Sequence, residues 1–150
     1  MKRAIERGVK IDLLVSERSD VKILINARRY LYDWLIRNNI DVYEYRVSNV
    51  HGKVIIADGS WTSIGSYDLN NLSTYSNIEL NVDINDADLS DDLSRHIRRI
   101  LENDCNKVTK ENLHSKQSIF YRLWMWTSYR FVKTLFVLSV LLAGKKDKEI

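Results

Sequence analysis

A histidine, a lysine, an aspartate, a glycine–serine pair and a glutamate fall close together in the middle of this chain: His51, Lys53, Asp58, Gly65-Ser66 and Glu79. On an extended strand alternate side chains share a face, so His51 and Lys53 point the same way, about 7 Å apart. Glu79 sits in a later strand-like run with Asn81 on its own face, and a strand placed beside the first would bring Glu79 to His51. An imidazole, an ammonium and a carboxylate converging at the end of a sheet are the parts of a phosphoryl-transfer site. A neutral imidazole nitrogen attacks phosphorus directly and splits one displacement into two through a covalent intermediate. A carboxylate on the other ring nitrogen fixes the tautomer and stabilises the charge that develops on the ring. Lys53 supplies a point charge to the non-bridging oxygens, and Ser66 a hydrogen bond. That chemistry needs no metal and no cofactor.

Each residue also has an ordinary explanation. Alone, His51 reads as a strand histidine and Lys53 as a solvated strand lysine. Asp58-Gly59 is a hairpin signal that turn chemistry accounts for, and Ser66 can cap a short helical turn. His96 and His114 fall on a charged helix and in a polar stretch, and the lone Cys105 has no basic neighbour. Only the joint spacing of the first group favours chemistry.

The surrounding elements must position that group. Lys10 to Val15 reads as a buried strand. Ser19 and Asp20 offer an N-cap to a helix whose stripe is Leu24, Ala27, Leu31, Trp34 and Leu35, ending near Asn38-Asn39. Asp41 to Tyr45 is the next strand. Strand, helix, strand makes a βαβ unit with parallel strands. Val50 to Ala57 and Trp61 to Ile64 form a hairpin, and Asn77 to Ile84 closes the sheet. A helix follows from about Asp88 to Leu101, its acids early and Arg95, Arg98 and Arg99 late, as the helix dipole favours.

The pattern His-x-Lys-x4-Asp-x6-Gly-Ser resembles the signature of the phospholipase D superfamily. The whole segment from His51 to Asn81, HGKVIIADGSWTSIGSYDLNNLSTYSNIELN, is similar to the second such motif of bacterial cardiolipin synthases. The preceding strand–helix–strand resembles theirs too, so the likeness covers roughly residues 1 to 104. It implies a phospholipase D-like α/β fold, a mixed sheet flanked by helices. It implies that His51 is the nucleophile or its acid partner, that Lys53 and Ser66 bind phosphate, and that Glu79 orients His51. Asp58 completes the catalytic pattern, with a role that is partly structural.

Two departures stand out. Where the family carries an asparagine two residues after the serine, this chain has Asp68. An ionised carboxylate has no donor and repels phosphate. Asp68 is therefore protonated, or turned away with Asn70 or Asn71 in its place, or the site is weakened. The family also uses two such motifs face to face, and this chain has one. The second comes from a homodimer mate or from a missing N-terminal half, or else the chain is an inactive remnant.

Hydrophobic residues make up 45% and charged residues 29% of the 150, enough for one folded domain. The net charge of +3 gives no case for nucleic acid, but residues 116 to 150 carry seven Lys or Arg against two acids. A single cysteine excludes a disulfide framework, and the first thirty residues have no signal-peptide pattern. The first strand comes so soon after Met1 that a fragment of a longer chain, or a start inside a larger ancestral domain, is expected.

The uncharged run Thr134 to Gly144 is too short for a bilayer, which takes about 20 apolar residues. Arg122, Arg130 and Lys133 fall within roughly 80° of one another on a helix. Tyr121, Trp124, Trp126, Tyr129 and Phe131 supply the amphipathic rings of a membrane interface. The expected organisation is a catalytic half-domain over 1–106, a polar linker over 107–117 and an amphipathic membrane-associated tail over 118–150. The expected activity is phosphatidyl transfer between phospholipids at the cytoplasmic face of the cell membrane. The competing expectations are a homodimeric nuclease or phosphodiesterase with one motif per chain, and an inactive membrane-binding half.

Overall fold

The computed structural model describes residues 1–67, 78–114 and 118–146. The chain forms two compact units: Met1–Val50 with Ile100–Val132, and His51–Arg99 with Lys133–Ile150.

In the first unit a short helix α1 (Lys2–Glu6) leads into strand β1 (Ile11–Ser16), helix α2 (Lys22–Arg37) and strand β2 (Ile40–Tyr45). The two strands run parallel, Ile11 opposite Ile40 and Ser16 opposite Tyr45, the βαβ arrangement that the hydrophobic pattern predicts. Helix α2 ends where Asn39 takes a left-handed conformation, φ 58°, which asparagine tolerates better than most residues. Its N-cap position is Val21, one residue past the expected Asp20, and the Val21 N–H donates to Ser19 Oγ at 3.3 Å.

Strand β6 (Cys105–Val108) then adds antiparallel to the free edge of β2, Val108 opposite Val42. Helix α4 (Lys110–His114) follows, started by Thr109, whose Oγ1 accepts from the Asn112 N–H at 3.2 Å. The stretch read as a polar linker, 107–117, thus holds the end of β6 and the helical turn α4. An edge strand buries little of itself, so a strand with one valine sufficed. The core collects Tyr32, Leu35, Ile40, Val42 and Leu113.

In the second unit β3 (Lys53–Ala57), β4 (Trp61–Gly65) and β5 (Asn81–Asn85) form an antiparallel meander with β4 in the centre. The helix read over Asp88–Leu101 is α3 (Ala87–Asn103), whose last residues enter the first unit. Asp86 caps it, accepting from the Leu89 N–H at 2.9 Å. Thr62, fully buried in β4, hydrogen-bonds Ser90 of α3 at 2.9 Å, which joins helix to sheet.

Helix α5 (Ile119–Lys146) begins at Ser118, whose Oγ accepts from the Tyr121 N–H at 3.2 Å. Its first half packs in the first unit: Met125 and Ser128 are buried, Tyr129 stacks on Tyr30 with ring centroids 4.9 Å apart, and the Tyr121 hydroxyl donates to Asn26. Ile119, Phe120, Leu123, Trp124 and Phe131 stay exposed. No helix among the described residues is long and apolar enough to cross a membrane.

Candidate active site

The tight turn between β3 and β4 forms because both its central residues tolerate positive φ: Asp58 at 52° and Gly59 at 65°. That geometry matches the twist of the flanking strands, so β3 and β4 pair directly, Lys53 opposite Gly65 and Ala57 opposite Trp61. Asp58 therefore sits exposed at the tip. It lies five residue steps of extended chain from Lys53, about 17 Å. The structure does not bring Asp58 to the other members of the motif.

The remaining members gather at the opposite end. Across the sheet, Lys53, Gly65 and Asn81 form one lateral row. Both β3 and β5 run antiparallel to β4, so they are parallel to each other, and residues just before each strand lie at the same end. His51 precedes Lys53 by two residues and Glu79 precedes Asn81 by two, so both sit at that end. Strand β5 starts at Asn81 rather than at Asn77, which leaves Ile78, Glu79 and Leu80 outside the ladder. The condition of direct adjacency between the histidine and glutamate strands is not met: β5 pairs with β4, which lies between β3 and β5.

His51 is exposed, while Lys53 and Glu79 are half-buried. The Lys53 ammonium donates to the His51 carbonyl oxygen at 3.2 Å, which ties the lysine's position to the backbone that carries the imidazole.

Gly65, in the middle of the row, has no side chain to interpose between the two outer strands. A Cβ there would collide with Asn81 Oδ1 and the Leu80 carbonyl oxygen. Asn81 uses this space. Its Nδ2 donates to Ser63 Oγ at 3.2 Å, and its Oδ1 accepts from the Tyr67 N–H at 3.2 Å.

Ser66 clasps the same segment. Its N–H donates to the Leu80 carbonyl at 3.0 Å, and its Oγ accepts from the Leu80 N–H at 3.1 Å. The residue adjoining Glu79 is therefore held by Ser66 on both its backbone groups. Sequence reasoning placed Ser66 on phosphate and missed this positioning role, as it missed Ser63 and Asn81. A signal was present, since Asn81 shares strand parity with Glu79. Asp68, Asn70 and Asn71 lie outside the described residues.

Comparison with known proteins places the chain in a family. The family described as cardiolipin synthase, phospholipase D-like domain, matches residues 1–101. The chain belongs to this family. Cardiolipin synthase B of Salmonella typhi is 36% identical over 113 residues, 75% of this chain and 27% of that protein. Cardiolipin synthase B of Escherichia coli K12 is 34% identical over the same length. A probable cardiolipin synthase of Bacillus subtilis is 30% identical over 102 residues, 68% of this chain and 20% of that protein. The chain thus spans about a quarter of the length of these cardiolipin synthases. The fold resembles the crystal structure of Nuc, a phospholipase D family member from Salmonella typhimurium. The TM-score is 0.58 at 21% identity, over 72% of this chain and 70% of that one. The phospholipase D-like α/β fold expected of this cardiolipin synthase-like chain is the one it adopts.

Proposed function

We propose that this chain supplies one half-site of a phosphatidyl transferase that makes cardiolipin from phosphatidylglycerol. The observation that carries the reading is the lateral row Lys53–Gly65–Asn81, with His51 and Glu79 both at its end. Two strand spacings separate β3 from β5, about 10 Å. A glutamate and a histidine side chain can bridge that gap above a glycine.

In the proposed reaction one imidazole nitrogen of His51 attacks the phosphorus of the donor. The P–O bond to the departing glycerol breaks, and the alkoxide takes a proton from the imidazole of a second motif. That imidazole then accepts the proton of the incoming phospholipid hydroxyl, whose oxygen displaces His51 from phosphorus. The second motif comes from another copy of the chain or from an N-terminal half. Glu79 steadies the imidazolium, and Lys53 meets the charge on the non-bridging oxygens. Ser66 Oγ accepts from the Leu80 N–H at 3.1 Å and donates to the Leu80 carbonyl at 3.5 Å, a long bond that a phosphate oxygen can displace. We assign Asp58 to the turn. Nothing in the reaction calls for nucleic acid, metal or cofactor.

The exposed apolar face of α5, flanked by Arg122, Arg130 and Lys133, would hold the protein peripherally on the anionic cytoplasmic leaflet. An interfacial, water-poor site would favour an alcohol acceptor over water.

The test is His51→Asn in cells whose cardiolipin depends on this protein. Cardiolipin should disappear, a loss of about 10⁴-fold or more in activity, as expected for a covalent nucleophile. Acid-labile phosphate on the wild-type protein should vanish with it. An unchanged lipid profile would remove the nucleophile assignment.

A further inference from the structure

In the first unit a cavity of ≈ 420 Å³ lies between α2 and the first half of α5. Its walls are largely apolar: Leu31 and Trp34 from α2, Met125 and Tyr129 from α5, and Leu113 from α4. Leu31 and Trp34 belong to the stripe that the sequence assigned to the core, yet they remain 39% and 44% exposed. Only Ala27, Tyr32 and Leu35 of α2 are buried. The surplus apolar surface of α2 is what forms the groove.

The charges around the groove do not cancel. Arg29 is held by Glu44 at 3.1 Å and 3.2 Å, and Asp33 by Arg37 at 2.7 Å, so neither stands alone at the groove. Arg122 lines the same groove, is exposed, and has no ion pair among the described residues. A guanidinium with no ion pair among the described residues stands at a trough whose walls are mainly apolar. On α5, Arg122 shares a side with the exposed Ile119 and Trp126, three residues before it and four after, so the trough opens beside apolar side chains of the helix proposed to meet the bilayer.

We propose that this groove takes one anionic phospholipid of the bilayer, its acyl chain between Leu31, Trp34 and Met125 and its phosphodiester on Arg122. Apolar walls with one placed cation are the usual make-up of a lipid-sized site, and a guanidinium matches a phosphodiester better than an ammonium does. The inference rests on the membrane attachment proposed above, and it is separate from the chemistry at His51. It adds a lipid that anchors and orients the protein without reacting.

Vesicles of phosphatidylglycerol brominated on the acyl chains test it, because bromine quenches indole fluorescence only in contact. Quenching should be larger for the wild-type chain than for Trp34→Phe, a change at a partly exposed ring. Arg122→Gln, at an exposed position, should weaken the Trp34 component about fivefold, as expected for one basic residue at an anionic surface. Brominated phosphatidylcholine should quench Trp34 little. If the chain binds vesicles but Trp34→Phe loses no quenching, the groove is empty and only the outer face of α5 docks. Equal quenching by both lipids, or no effect of Arg122→Gln, would overturn the role of the charge. Failure to bind vesicles at all would sink the groove and the membrane attachment together, leaving the His51 test untouched.

Discussion

The two units of this protein are stabilised differently. The first has a conventional apolar centre, Tyr32, Leu35, Ile40, Val42 and Leu113, with a carboxylate network beside it. In the second, the buried residues among those described are hydroxyls: Thr62, Ser63 and Ser90. Its aliphatic row Val54–Ile64–Val82, one residue from each strand, stays 39%, 41% and 55% exposed. The unit carrying the motif is held largely by directed hydrogen bonds. These fix positions but tolerate little change, whereas apolar burial tolerates substitution as long as volume is kept. A sheet that must hold an imidazole and a carboxylate at one end gains more from the first kind.

If that contrast holds, the largest loss of stability should come from the first unit without touching the chemistry. Glu44 is nearly buried on β2, where Arg29 grips it bidentately, the Tyr32 hydroxyl donates to it at 2.9 Å, and Arg28 stands 3.6 Å away. Glu44→Ala leaves two partly buried guanidinium groups without their carboxylate and should cost about 3–5 kcal/mol. Denaturant unfolding measures this. A loss below about 1 kcal/mol would mean that the network is as weak as a surface pair.

Much of this was legible in the sequence, for reasons that particular residues make plain. The βαβ unit announced itself through apolar runs and a 3.6-residue stripe, and the hairpin through Asp58-Gly59. Strand β6 was hidden because an edge strand of sequence Cys-Asn-Lys-Val hardly differs from a loop. The burial of Glu44 was readable in principle, since it shares strand parity with Ile40 and Val42, both fully inside. A carboxylate at that position looks polar until its arginine partners, fifteen and sixteen residues earlier on a helix, are placed against it. At the site, the motif gave residue types and one sheet end, but the order of strands depends on edges, and spacing along the chain does not encode edges. The clasp of Leu80 by Ser66 and the collision space at Gly65 arise only once β4 lies between the other two.

The next test therefore falls on Gly65, where the second unit should prove intolerant. Gly65→Ala forces a methyl group against Asn81 Oδ1 and the Leu80 carbonyl. Overpacking of this kind costs about 1–3 kcal/mol, and relief must come from moving the segment that carries Glu79. Turnover should fall far more than stability, by about 10²-fold for a shift near 1 Å. Activity and stability falling in proportion would show that Gly65 serves only the fold. Ser63→Ala, which removes the hydroxyl receiving Asn81, makes a milder probe of the same segment.

The smallest effect is the most diagnostic for the first unit. Burial, and then the charge of Glu44, hold the Tyr32 phenol well above its ordinary value of 10.0. The raised value belongs to the folded state, so the folded chain keeps this proton where the unfolded chain has lost it. Its contribution is complete below pH 10 and declines as pH rises above that, because ionisation then favours the unfolded state. Tyr32→Phe keeps the ring and removes the proton. At pH 7 it should cost about 1 kcal/mol for the lost hydrogen bond. By pH 11 the wild type should have lost much of that margin, since each pH unit beyond the unfolded value weighs about 1.4 kcal/mol. Equal penalties at pH 7 and pH 11, measured by urea unfolding, would mean that the phenol titrates alike in both states. The carboxylate network would then be no more enclosed than the hydroxyl sheet of the second unit, and the contrast between the two units would fail at its most buried point.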